Sequence, residues 1–403
     1  MQTQIHKSLQ KKPAIAQADE ILRNCVHCGF CNATCPTYQL LGDELDGPRG
    51  RTYLIKQIIE TGSCTEKTRE HLDRCLSCRN CETTCPSGVQ YGRLLSIGRE
   101  LAEKDSPRKF FDTLLRRALR LVIPYRQRIS VIVTIAQKLK PILPAAIQRQ
   151  LPTQTPAGLT LTRHQRLVIL PNGCAQDAFA ADINSDCRNI LDKLGITAVS
   201  IDSDSCCGAM SEHMSQNAEA EMFMKKNIDA WWPSIESGAE AIVSTASACG
   251  LMIKDYGHLL AHDADYADKA TRVSEMCVDI SELLSNEDCS IFENTQSQRI
   301  SFHAPCTLQH GQKITGKVES LLSQIGYELI DYNDAHLCCG SAGAYSILQK
   351  NISTQLLNNK IENLLQAQPD IIATANIGCL LHMRSGTDTP VKHWLQLISP
   401  AKD

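Results

Sequence analysis

Two runs of cysteine constrain this chain more than anything else in it. They read Cys25-Val-His-Cys28-Gly-Phe-Cys31-Asn-Ala-Thr-Cys35-Pro36 and Cys75-Leu-Ser-Cys78-Arg-Asn-Cys81-Glu-Thr-Thr-Cys85-Pro86. Three thiolates at two-residue spacing wrap one corner of a cubane, and the fourth, ahead of a proline, turns away to ligate its neighbour. The spacing therefore predicts two [4Fe–4S] clusters, one on Cys25, Cys28, Cys31 and Cys85, the other on Cys75, Cys78, Cys81 and Cys35. The crossover would bring the two close enough for electrons to hop between them. Zinc is the plain alternative, but zinc ribbons use two separated Cys-x-x-Cys knuckles, not four cysteines in eleven residues ending in Cys-Pro. The 39 residues between Cys35 and Cys75 carry the helical pattern RGRTYLIKQIIETG. That predicts a mostly helical ferredoxin domain rather than the small β-rich kind. Cys64 falls outside both motifs and reads as an ordinary residue.

Composition supports redox or metal chemistry for the 20 cysteines. The opening residues, MQTQIHKSLQKKPAIAQADE, hold no continuous apolar segment of a secretory signal, so disulfides are not expected. No stretch approaches the roughly 18 apolar residues that would span a bilayer. A net charge of −3 offers no global basicity for nucleic acid. The expectation is a cytoplasmic protein, peripherally associated with the inner face of the cell membrane.

Downstream the chain repeats itself. Cys174, Cys206 and Cys207 recur 132 positions later as Cys306, Cys338 and Cys339, and Cys249 recurs 130 later as Cys379. Each Cys-Cys pair is followed by glycine, Gly208 or Gly340. Each copy opens on a short apolar strand (RLVILPNGC, RISFHAPC) and continues through a helix, a second strand, a longer amphipathic helix and a third strand ending on the last cysteine. Strands alternating with helices imply parallel βαβ units, with the cysteines just beyond the strands' carboxyl ends, where such sheets build their sites. The fold expectation is multidomain: a helical ferredoxin domain over 1–105, a connector over 106–164, and two tandem α/β cysteine-rich domains with parallel sheets over 165–290 and 298–403.

Adjacent cysteines make an awkward disulfide with each other. Clustered sulfurs select iron–sulfur clusters, zinc or copper(I). Cys174, Cys206, Cys207 and Cys249, and Cys306, Cys338, Cys339 and Cys379, are therefore candidate sites for an additional cluster or metal; the alternative is a structural cysteine nest. The pattern resembles the cysteine-rich domain of heterodisulfide reductase, whose motif ends in Cys-x-x-Cys. Here Met252 and His382 stand where the fifth cysteine would be, so a five-thiolate cluster does not carry over. His382 is a candidate substitute ligand, Met252 a weaker one. Cys187, Cys277 and Cys289 read as plain thiols in helical or loop segments.

From Thr113 to Gln176 there is no Asp or Glu but ten Lys or Arg. Such a segment suits an anionic membrane surface or an acidic partner, or else forms a solvated linker broken by prolines at 141, 144, 152 and 156. No Gly-x-Gly-x-x-Gly, P-loop or Cys-x-x-Cys-His motif occurs, which leaves flavin, nucleotide and covalent haem unsignalled. A chain with clusters and no flavin site relays electrons for a partner that takes them from substrate.

The whole chain resembles the iron–sulfur subunit of bacterial glycolate oxidase (glycolate dehydrogenase). The matching segments are ILRNCVHCGFCNATCPTYQLLGDELDGPRGR, HLDRCLSCRNCETTCPSGV, KNIDAWWPSIESGAEAI, PCTLQH, HLCCGSAG and TANIGC. The resemblance implies an oxidoreductase complex in which FAD-binding subunits oxidise glycolate to glyoxylate, with D-lactate, giving pyruvate, as the related substrate. This chain would hold no substrate-oxidising site and would pass electrons to a membrane acceptor such as quinone. A subunit of a lactate-utilisation or heterodisulfide-reductase-like complex is the alternative, and the absent fifth cysteines count against it.

Overall fold

The computed structural model describes residues 1–152, 162–292 and 298–398; Pro156 of the connector and the last residues of the 298–403 segment lie outside these. The first hundred residues are helical, as expected. The main helices are α1 (Pro13–Asn24), α2 (Pro48–Thr61), α3 (Glu66–Asp73) and α4 (Tyr91–Asp105). Proline starts α1 and α2, where its missing N–H costs nothing. The Thr65 hydroxyl caps α3 by accepting the Thr68 N–H. One core unites these helices through Ile15 and Leu22, through Ile55 and Ile59, and through Leu94 and Leu95.

Two further helices follow, α5 (Phe110–Val122) and α6 (Arg126–Lys138). The acid-free stretch from Thr113 suggested free positive charge, but several arginines find acids elsewhere in the chain. Arg120 pairs with Glu219 at 2.7 Å, Arg126 with Asp204 at 3.4 Å, and Arg116 with Asp73 at 3.7 Å. The opposite face is bare and apolar: Phe110, Phe111, Leu114, Val131, Ile132 and Ile135 are exposed. No helix among the described residues is long and apolar enough to cross a membrane.

The repeats are two four-stranded, fully parallel sheets. In the first, β1 (Arg166–Ile169), α7 (Ala175–Lys193), β2 (Ile196–Val199), α8 (Asn217–Glu236), β3 (Ala241–Ser244), α9 (Ser247–Lys254) and β4 (Cys277–Asp279) give the order β2-β1-β3-β4. The second runs β5 (Arg299–His303), α10 (Lys317–Ile325), β6 (Glu328–Leu329), α11 (Lys350–Gln366), β7 (Ile371–Thr374), α12 (Ile377–Gly386) and β8 (Val391–His393), ordered β6-β5-β7-β8. Registers agree too: Val168 pairs with Ala241 as Ile300 pairs with Ile371. The fourth strand of each sheet was not foreseen. Each is three residues long, too short for a period-two pattern, and Cys277, read as helical or loop, opens β4.

The two sheets share one apolar core. Ile183, Cys187 and Ile190 of α7 belong to the same buried cluster as Trp394, Leu395 and Ile398 beyond β8. Polar contacts cross the same boundary: the His393 imidazole donates to the Thr245 carbonyl at 2.9 Å, and the Ser247 N–H to Ala375 O at 3.2 Å.

Candidate metal centres

The two cysteine runs share a backbone device. In each Cys-x-x-Cys loop the residue before the second cysteine is left-handed (His27 φ 60°, Ser77 φ 53°), and so is the residue after it (Gly29 φ 86°, Arg79 φ 58°). Non-glycine residues occupy this region rarely and at some cost, so three here mark a built loop. The turn curls backbone N–H groups toward sulfur, as where Ser77 N–H donates to Cys75 Sγ at 3.4 Å. A short helical turn then carries the third cysteine, Phe30–Ala33 in one run and Asn80–Thr84 in the other.

Packing of α2 and α4 between the runs brings the cysteines into two groups. Cys25, Cys28, Cys31 and Cys85 line one cavity, about 450 Å³ of atom-free space partly open to solvent. Cys35, Cys75, Cys78 and Cys81 line a second, about 300 Å³. Pro48, Cys81 and Tyr91 touch both and form the wall between them. Cys31 has Cys25, Cys85 and Cys28 as electrostatic neighbours, whereas Cys81 has Cys78, Cys75 and Cys35. Burial, with Cys25 beside it, pushes the Cys31 thiol up to about 11, and burial drives Cys78 and Cys81 well above the ordinary thiol value. Thiols crowded this way ionise only against a cationic core.

Spacing decides what kind of core fits. Among the described residues, groups of three donor atoms within 4.8 Å of one another occur at His303–Cys339–Cys379 and at Asp43–Asp46–His71. No three sulfurs of either quartet close to that distance, so each quartet surrounds a body larger than one ion. Four sulfurs around a cluster-sized space fit a cubane better than zinc.

Sequence reasoning missed the arginines. Arg51 is fully buried in α2 and lines the second cavity, with its guanidinium donating to His71 O at 2.7 Å and Thr37 Oγ1 at 3.1 Å and paired with Asp46 at 3.5 Å. Burial opposes its charge, but Cys75, Tyr91, Cys35 and Asp46 outweigh that and hold it above the ordinary arginine value. Arg49 is its half-exposed counterpart on the first cavity, bound to Glu44 at 2.6 Å. Both sit in the Pro-Arg-Gly-Arg segment, which showed only a helix start. Cys64 lies apart; its backbone N–H donates to the Asp105 carboxylate, and burial with that carboxylate pushes the thiol up to about 11.

In the repeats, each nest forms where a strand's carboxyl end meets the Cys-Cys-Gly turn. Cys174 Sγ lies 3.6 Å from Cys206 Sγ, and the thiol contacts run on through Cys207 to Cys249. Cys306 Sγ lies 3.8 Å from Cys338 Sγ, with contacts continuing through Cys339 to Cys379. Gly340 has φ 89°, and a Cβ there would stand 2.8 Å from Ser353 O, so only glycine fits. Hydrogen bonds from Cys206 and Cys249 hold the Cys207 thiol well down, while Cys339 lies well above the ordinary value. His382, the candidate substitute ligand, is engaged elsewhere: its Nε2 lies 3.1 Å from Ser353 Oγ. Met252 is buried in the apolar core of the first repeat.

The second cavity abuts the second nest. Cys78 and Cys306 pack in one apolar cluster with Leu76, Cys338 and Tyr345, and after burial Cys306 is the strongest electrostatic influence on Cys78. Asn80 Nδ2 donates to His336 O at 3.1 Å, Tyr345 OH to Arg74 O at 2.9 Å, and Arg79 pairs with Asp255 at 2.7 Å.

Residues 21–89 match the 4Fe–4S dicluster domain, and residues 168–254 and 300–384 each match the cysteine-rich domain. Over its full length the chain is 47% identical to the glycolate oxidase iron–sulfur subunit of Escherichia coli K12, covering 99% of that protein. It is 27% identical to the probable glycolate oxidase iron–sulfur subunit of Bacillus subtilis 168, over 91% of this chain and 89% of that one. Among solved structures, a hypothetical protein from Helicobacter pylori shares the fold, with a TM-score of 0.57, 9% identity, and 98% of this chain and 75% of that one covered. The N-terminal domain is thus one that carries two [4Fe–4S] clusters, and the chain belongs to the glycolate oxidase iron–sulfur subunit family.

Proposed function

We propose that this chain is the electron relay of a complex that oxidises glycolate to glyoxylate, and D-lactate to pyruvate as a related activity. Cys25, Cys28, Cys31 and Cys85 hold one cluster, and Cys35, Cys75, Cys78 and Cys81 the other. Each cluster, when bound, supplies a one-electron carrier. The observation that carries the reading is the pair of four-cysteine cavities divided only by Pro48, Cys81 and Tyr91. An FAD-holding partner takes the hydride, and this chain has no substrate-oxidising site of its own. Electrons enter at the first cavity, where Cys28, Val26 and Phe30 face solvent. They leave from the second, toward the repeats and a membrane acceptor such as quinone. The bare apolar face of α5 and α6 supports peripheral attachment at the inner face of the cell membrane. The working units are residues 1–105, 106–164, 165–290 and 298–403.

The test is anaerobic. Reduced protein should show the coupled EPR signals of two neighbouring [4Fe–4S] clusters. In the assembled complex, Cys81→Ser should stop electron transfer to an acceptor reached through the clusters while glycolate still reduces the partner's flavin. Uncoupled signals, or flavin reduction lost with Cys81, would overturn the reading.

A further inference from the structure

The two repeats match in cysteine spacing but not in what stands behind the cysteines. His303 is the last residue of β5 and is fully buried, and neither ring nitrogen has a hydrogen-bond partner. The position 132 residues earlier is Pro171, which offers no side-chain donor. Leaving a buried imidazole without partners is costly, so such groups normally bind something. A ring nitrogen of His303 lies within 4.8 Å of the sulfurs of both Cys339 and Cys379, which lie as close to each other.

That spacing suits a single ion. Zinc takes nitrogen at about 2.0–2.1 Å and sulfur at about 2.3 Å, which puts tetrahedral ligand atoms a little under 4 Å apart. Modest closing of the three side chains reaches it. Three backbone segments supply the donors: the end of β5, the Cys-Cys-Gly turn and the first turn of α12. A neutral imidazole and two thiolates around a divalent ion make a site with no net charge, compatible with complete burial.

We propose that His303, Cys339 and Cys379 bind one zinc-class divalent ion in the second repeat, distinct from the two [4Fe–4S] clusters and without counterpart in the first repeat. Binding joins β5 to α12, and closes the nest that faces Cys78.

The full chain, purified anaerobically, should carry one zinc per chain beside its cluster iron. Its zinc-edge X-ray absorption should show a mixed nitrogen and sulfur shell. With Co²⁺ as probe, thiolate charge-transfer bands and tetrahedral d–d bands should appear at one equivalent. His303→Gln should weaken zinc binding at least 10²-fold with cluster iron unchanged, while Cys249→Ser in the first repeat leaves zinc bound. An all-sulfur zinc shell in the unsubstituted protein overturns the proposal whether or not any variant folds. So does an absence of zinc and cobalt binding, or extra iron that disappears in His303→Gln. Failure of the relay reading would show instead in the cluster signals, which this measurement leaves separate.

Discussion

The two cysteine runs follow the same backbone path, yet their matching residues face different worlds. Val26 is 70% exposed and its partner in the second run, Leu76, 5%; Phe30 is 62% exposed and Asn80, 2%. Gly29 corresponds to Arg79, which reaches across to Asp255 of the first repeat. One loop is a surface feature and the other an internal joint, although ligand spacing is identical. The lesson is that a repeated ligand motif fixes local geometry, and the residues between the ligands decide which centre meets a partner and which meets the rest of the chain.

The arginines should break this symmetry most. Arg51→Met removes the charged bonds to His71 O and Thr37 Oγ1 and one of three partners of Asp46, which keeps Arg74 and His71, and should cost about 3 kcal/mol, seen as a lower denaturant midpoint. A cost below 1 kcal/mol would mean that Arg51 is not needed at the inner cavity.

The inner loop rests on the repeats, so their acid sensitivity should reach it first. His393 is buried and neutral, donating from Nε2 to Thr245 O and accepting the Leu395 N–H at Nδ1. Burial lowers its pKa to about 3 from the usual 6.5, against the pull of the Thr245 bond. The unfolded chain therefore takes up a proton that the folded one refuses. Its contribution is complete above pH 6.5 and falls away toward pH 3, at up to about 1.4 kcal/mol per unit. His393→Gln should flatten the stability profile between pH 6.5 and 5. An unchanged slope in chemical denaturation would count against this assignment.

Asn80→Ala leaves the Thr34 carbonyl unpaired and takes one of two partners from His336 O, which His310 Nε2 still bonds, and should cost about 1–3 kcal/mol, whereas Phe30→Ala should stay within about 0.5 kcal/mol. Phe30→Ala should instead slow electron delivery from the flavin partner by about tenfold, the scale of an exposed interface anchor. Arg49→Met loses a half-exposed pair with Glu44 and should move the midpoint by under about 1 kcal/mol. Equal effects of Arg49→Met and Arg51→Met would erase the comparison.

Much of this was readable in the sequence, for a physical reason in each case. Cysteine spacing is a local geometric requirement, so a domain for two [4Fe–4S] clusters was legible in advance, as was the repeat, which shows as an offset of 130 to 132 residues. The alternation of apolar strands and amphipathic helices announced parallel sheets. What escaped depends on contacts distant in sequence. Arg51 looks like any charge on an amphipathic helix until Asp46 and the cavity surround it. His303 sits at a strand end, and nothing local separates it from a core histidine, while His382 drew notice by position alone and is held by Ser353. The connector's arginines read as free because their acids lie up to about a hundred residues away, as Glu219 does from Arg120.

The core common to both sheets bears on how the protein is made. Residues 394–398 pack against α7, some two hundred positions earlier, so the first repeat cannot finish burying that helix until those residues have left the ribosome. A nascent chain stopped inside the second repeat exposes the apolar side of α7 and becomes a substrate for chaperones and proteases. Truncation within the second repeat therefore removes part of the first repeat's core as well.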